Sequence, residues 1–186
     1  MARDFFSNQF LIAVPAMDDP HFARGVTLVC EHNEHGAMGL LVNRPSEYTL
    51  GEIFEQMQID AAAPGVATET VVVGGPVLPD RGFVLHDGGD DWPSTLRVAP
   101  GLAVTTSREI LAAMARGQGP SRSLVALGYA SWGAGQLEQE LADNAWLTAP
   151  ADQAIVFELP FGQRWQAAAR RVGVDLGQFP GYVGHA

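Results

Sequence analysis

Apolar residues in this chain gather into short runs separated by glycine, proline and polar turns, which predicts many strands with a few helices between them. Residues 10–14 form the first run, ended by Pro15, and 16–25 read as a loop. The β-rich runs 26–33 and 36–44 flank a polar turn from Asn33 to Gly36, so a hairpin is expected, broken after its second strand by Pro45 and Ser46. Leu50, Ile53, Phe54 and Met57 recur at helical spacing behind Thr49, which predicts an amphipathic helix with Thr49 as its N-cap. Residues 61–69 read as a loop suited to a variable insertion.

Val71 to Val77 reads as a buried strand running into a glycine turn, followed by strands over 82–87, 95–100 and 102–107. The acidic stretch 86–94 is expected as an exposed loop. Ser107 is predicted to cap a helix that places Ile110, Leu111 and Met114 on one face and stops at Gly117. A strong buried strand is expected over 123–132. A helix over 133–142 should turn Leu137 and Leu141 inward and Glu138, Gln139 and Asp143 outward. Residues 154–159 read as the last strand and 163–172 as the last helix, closed by Gly173, with an irregular tail from 176. Strands in runs, without strict βαβ alternation, indicate one α+β domain over 1–186 with a mixed or antiparallel sheet.

Composition narrows the chemistry. Eleven basic and twenty-one acidic side chains leave a net charge of −10, and all the basic residues are arginine. Without lysine, Schiff-base catalysis and the P-loop lysine are excluded. The negative field argues against direct nucleic-acid binding. Cys30 is the sole cysteine, so no intramolecular disulfide can form and a reducing, cytoplasmic setting is expected. The start of the chain lacks the basic and long apolar regions of a signal peptide. No run approaches the roughly 20 apolar residues that span a bilayer, so no membrane partner is expected.

Cys30 and His32 alternate onto one face of a predicted strand, with His35 in the adjoining turn, a set that could suit zinc or copper. No fourth ligand is evident and the spacing matches no zinc pattern, so neither a metal nor another cofactor is assigned. Gly74 and Gly75 could let backbone N–H groups approach an anion, with Arg81 supplying a fork of donors, although close backbone packing explains the same glycines. Thr106 and Ser107 precede a helix and could hold an anion there, while N-capping by Ser107 accounts for the same letters. No GxSxG elbow occurs, and no catalytic residue is assigned. The candidate ligand-binding set is therefore His32, Asn33, Asn43, Arg44, Gly74, Gly75, Arg81, Thr106 and Ser107, with aromatic walls from Tyr129 and Trp132. Glu138, Glu140 and Asp143 read as a solvated helix face.

Several segments together carry a family resemblance: FLIAVPAMDDPHFARGVTLVCEHNEHGAMGLLVNRP, VVVGGPVLPDRGFVLHD, VTTSREIL, LVALGYASWGAGQLEQELADNAWLTAPAD and GVDLGQFPGYVGHA. They resemble the YqgE/AlgH family of bacterial proteins from about Phe5 to the C-terminus. The resemblance implies a single α+β domain whose mixed, largely antiparallel sheet curls toward a barrel-like shape with helices packed outside. It also implies a transcriptional-regulator label tied to alginate exopolysaccharide, and it brings no agreed activity or cofactor. The family's recurring motif covers Cys30, Glu31, His32, Asn33, Gly36, Ala37, Met38 and Gly39 and omits His35, which weakens the metal reading. No basic helix-turn-helix is present, so regulation through a protein or small-molecule partner is the expected route.

Overall fold

The computed structural model describes residues 5–89 and 91–176. Asp4, Asp90 of the acidic loop and the tail expected to be irregular beyond Leu176 lie outside the described residues. In chain order the strands are β1 (Gln9–Ala13), β2 (Val26–Asn33), β3 (Gly36–Leu41), β4 (Pro45–Thr49), β5 (Thr70–Val73), β6 (Val77–His86), β7 (Thr95–Ala99), β8 (Leu102–Thr105), β9 (Ser123–Gly133) and β10 (Trp146–Pro150). The helices are α1 (Leu50–Gln56), α2 (Arg108–Ala115), α3 (Gln136–Ala142), α4 (Gln153–Phe157) and α5 (Phe161–Arg170).

The strands form one mixed, largely antiparallel sheet in the order β10-β1-β2-β3-β9-β6-β8-β7, with the β4–β5 pair joined to β9. β5 runs parallel to β9, Val72 opposite Ala126. The sheet curls without closing into a barrel, and helices pack around it. Long β9 is the hinge line: it holds β6 along one edge and β5 and then β3 along the other. The shift between those partners occurs at Gly128, whose φ is 77°. There the backbone of Gly74 and Gly75 passes so close to β9 that a Cβ on Gly75 would meet the main chain of Tyr129 and Ala130. These glycines exist for close approach of two strands.

Both faces of the sheet are covered, which is why its strands read as nearly continuous apolar runs. One face carries the largest core, with Phe10, Ile12, Leu28, Leu40, Leu85 and Val104 under α4 and α5. The opposite face splits in two. Val71, Val84 and Val125 pack against Leu50 and Phe54 of α1 and Ile110, Leu111 and Met114 of α2. Leu11, Val29, Ala37, Ala130 and Trp132 pack against Leu137 of α3 and Trp146. Buried Trp165 donates its indole N–H to the Ala13 carbonyl at 2.8 Å and ties α5 to β1.

The amphipathic patterns of α1 and α2 form as expected, and Thr49 and Glu52 complete a capping box at α1. Elsewhere the local structure departs from expectation. Residues 154–159 are mostly the short helix α4, capped by Asp152 through the Ala154 N–H at 2.8 Å; a run this short cannot be told from a strand by periodicity. Trp146–Pro150, assigned to no element from the sequence, is β10, paired along its length with β1. Pro45 does not end the strand region but opens β4, an edge strand where a missing N–H costs no ladder bond.

Candidate functional site

The face on which each polar residue stands decides what it can do. β2 carries a bulge between Val29 and Glu31: Val29 pairs with Gly39, while Glu31 pairs with Met38 and His32 with Ala37. The extra residue, Cys30, breaks the alternation. Cys30 lies in the large core, whereas His32 lies beside Ala37 under α3. The expected common face for Cys30 and His32 is therefore corrected. Burial pushes the Cys30 thiol up in pKa, with Glu31 adding to the effect, and exposed His35 pairs with Glu34 at 3.6 Å. Among the described residues, no group of three His, Cys, Asp or Glu side chains is placed to hold a metal ion.

His32 is held on both ring nitrogens. Nδ1 accepts the Phe6 N–H at 2.9 Å, which puts the ring proton on Nε2, 2.9 Å from Glu138 Oε1. The rings of Phe5 and Phe6 flank it, with centroids 4.9 and 5.8 Å away. Trp132 has a parallel role. Its indole N–H donates to Glu140 Oε1 at 3.1 Å, and the Trp146 indole donates to the same oxygen at 3.0 Å. Gln136 donates to Glu140 Oε2 at 2.9 Å and accepts the Gly133 N–H at 3.0 Å. Glu138 is exposed as expected of a solvated face and Glu140 is half-buried, yet both carboxylates also tie α3 to the sheet. Asn33 closes the hairpin turn by accepting the His35 N–H at 2.8 Å.

Asn43 and Arg44 hold the loop before β2. Asn43 Oδ1 accepts the Val26 N–H and its amide donates to the Arg24 carbonyl, each at 2.9 Å. Arg44 donates to the carbonyls of Pro20 at 3.0 Å, His21, and Ala23 at 2.6 Å. Burial lowers the Arg44 pKa, opposed by Asp19. Gly74 uses its N–H on the Leu127 carbonyl at 2.8 Å. Thr106 bonds through its N–H to Ser94 at 3.1 Å, and Ser107 stands at the N-cap of α2 but makes no side-chain cap bond.

Arg81 and Tyr129 both meet the Phe83 ring. Arg81 is exposed on β6 with its guanidinium carbon 5.9 Å from the centre of the Phe83 ring. Phe83 in turn meets Tyr129 edge-on at 5.5 Å. Exposed Leu78, with a φ of 45°, stands on the same unpaired stretch of β6, where the ladder to β9 is interrupted between Val77 and Gly82. The remaining candidates go elsewhere: His32 and Trp132 face α3, Asn43 and Arg44 face the 20–24 loop, and Thr106 and Ser107 lie at the end of β8. The sequence assigns no role to Phe83 and does not foresee that Glu138 and Glu140 receive His32 and the two indoles. Strand parity with Arg81 could have found Phe83, and the i, i+4 pair Gln136–Glu140 could have drawn attention to Glu140.

A family model described as AlgH-like (DUF179) matches residues 10–177. A UPF0301 protein of Xylella fastidiosa (strain Temecula1) is 57% identical over 179 residues, covering 96% of this chain and 95% of that protein. A UPF0301 protein of Xanthomonas campestris pv. campestris (strain 8004) is 57% identical over 180 residues, 97% of this chain and 96% of its own. The solution structure of the AlgH protein from Pseudomonas aeruginosa matches with a TM-score of 0.81 at 51% identity, covering 100% of this chain and 98% of that chain. A crystal structure of a protein from Corynebacterium diphtheriae matches at 0.67 and 25% identity, covering 92% and 90%.

Proposed function

The chain belongs to the AlgH-like family, and from that premise we propose that it is a binding protein, acting through a partner rather than by catalysis or direct contact with DNA. One observation carries the reading. Of the two arginines singled out in the sequence, Arg44 spends its donors on loop carbonyls, while Arg81 stands exposed over Phe83, whose ring meets Tyr129, on the same stretch of β6 as exposed Leu78. Arginine and tyrosine are residue types enriched in interaction hot spots. A solvent-facing guanidinium suits a partner surface that presents carbonyl oxygens, since the net charge of −10 disfavours a strongly acidic one.

A regulatory role, exerted through that partner, follows the family's label, and the same charge disfavours a DNA phosphate backbone. A reducing, cytoplasmic setting, expected from the lone cysteine, belongs to this proposal. The test is affinity capture from a bacterial lysate with wild type and Arg81→Ala side by side. A partner recovered by wild type and lost from the variant supports the reading. No partner above background, or equal recovery by both, removes it.

A further inference from the structure

A separate cleft of about 570 Å³ opens between the 61–69 loop, the C-terminal end of α2 and the 117–123 connection, with Phe157 of α4 also on its wall. This volume lies within the range of small-molecule sites. Its lining is divided in character. Val66, Met114 and Phe157 supply apolar surface, while Glu69 and Arg122 bring opposite charges.

Neither charge is saturated by the fold. Among the described residues the Glu69 carboxyl has no hydrogen-bond donor or cation, its recorded bonds being through its backbone to Val66 and Leu50. Partial burial raises its pKa from the ordinary carboxylate value. Arg122 reaches Gln153 and Glu158 only at 3.3 Å each. Those contacts are long for charge-assisted bonds and use two of five N–H donors, and its partner Glu158 is 53% exposed, which makes the pair weak.

The two charges restrict the ligand. A phosphate or other simple anion drawn to Arg122 would meet Glu69 and the field of a chain at −10. A simple cation drawn to Glu69 would meet Arg122. A molecule carrying both signs at its ends satisfies both groups without net charge. We infer that this cleft binds a small zwitterion, an amino acid or short peptide with free termini, its ammonium on Glu69, its carboxylate on Arg122 and an apolar side chain against Val66, Met114 and Phe157. The site shares no lining residue with the Arg81 surface and stands independently of it.

The experiment is isothermal titration of the whole chain with leucine, phenylalanine and leucyl-leucine, which separates amino acid from peptide, against N-acetyl-leucine, leucinamide and inorganic phosphate. Saturable binding of a zwitterion is expected, weakened about tenfold or more when either terminal charge is capped. Glu69→Gln should weaken the zwitterion by a similar factor without weakening N-acetyl-leucine, whose carboxylate then meets no opposing charge, and Arg122→Met should weaken the zwitterion without weakening leucinamide. Both positions are at the surface, so unchanged melting temperatures verify that the variants fold. The inference is overturned if no zwitterion binds at millimolar concentration, if capped and uncapped forms bind alike, if Glu69→Gln binds as wild type does, or if phosphate alone binds.

Discussion

Arg164 sits 4% exposed on α5, and among the described residues no carboxylate pairs with it. Its Nε donates to the Leu159 carbonyl at 2.8 Å, and Nη1 donates to Val42 at 2.7 Å and Val156 at 2.6 Å. Its guanidinium carbon lies 4.5 Å from the centre of the Phe161 ring. One side chain thus fastens the end of β3, α4 and the α4–α5 turn together. Burial lowers its pKa to about 10, so the group is charged at neutral pH. Hydrogen bonds to a charged group contribute about 1.5–3 kcal/mol each, and a stranded buried carbonyl costs about 1–3 kcal/mol. Removing the guanidinium also removes its desolvation cost of several kcal/mol, which offsets part of the loss. For Arg164→Met the balance is a destabilisation of about 3–4 kcal/mol, because methionine fills the volume but donates to none of the three carbonyls. For a chain of this size that lowers the melting temperature by roughly 6–16 °C. Urea unfolding followed by tryptophan fluorescence measures it, with Arg164→Lys expected to fall between Met and wild type. A loss below about 1 kcal/mol for Arg164→Met, with an unchanged m-value, would refute the reasoning.

His86 is fully buried: Nδ1 accepts the Gly88 N–H at 3.1 Å and Nε2 lies 2.8 Å from Thr105 Oγ1, which continues to Thr95 at 2.7 Å. Burial lowers its pKa, with Asp87 opposing and Arg97 adding to the shift. As pH falls through about 6.5 the unfolded chain takes up this proton before the folded one. Its contribution is therefore full above that value and is lost toward lower pH, at no more than about 1.4 kcal/mol per pH unit. Urea midpoints from pH 7.5 to 5 should fall less steeply for His86→Gln than for wild type, and equal slopes would dismiss the assignment. Gly75→Ala should cost about 3 kcal/mol, since its Cβ would strike the Tyr129 and Ala130 backbone. Gly82→Ala, whose Cβ meets nothing within 4 Å, serves as the control, and equal melting of the two variants would contradict the interlock.

Local patterning made much of the fold legible. The β2–β3 hairpin, α1 behind its Thr49 cap, α2 and β9 each draw their signal from a window of neighbouring residues. That suffices when turn chemistry and periodicity act within such a window. The α+β class, with a mixed or antiparallel sheet, follows from the same reading, while the largely antiparallel form comes with the family resemblance. Part of the Arg81 surface was also legible, since Arg81 and Tyr129 could be singled out as polar groups at strand ends. The Glu69–Arg122 cleft was not, because it is built from two loops that no periodicity marks.

By itself, then, the sequence determined the fold class, the positions of most elements, the exclusion of lysine chemistry and the acidic field. Tertiary structure decided which polar side chains are available. The bulge at Cys30 sends His32 to the α3 side, where Glu138 meets it across 106 residues. Arg164 reaches Val42 across 122, and β10 becomes a strand because β1 supplies its ladder. Arg44 and Glu140 look as free in the sequence as Arg81, yet loop carbonyls and two indoles occupy them. The physical reason is range. Propensity and capping act over a few residues, whereas satisfying a buried carbonyl, carboxylate or imidazole requires a partner that only chain folding brings within 3 Å.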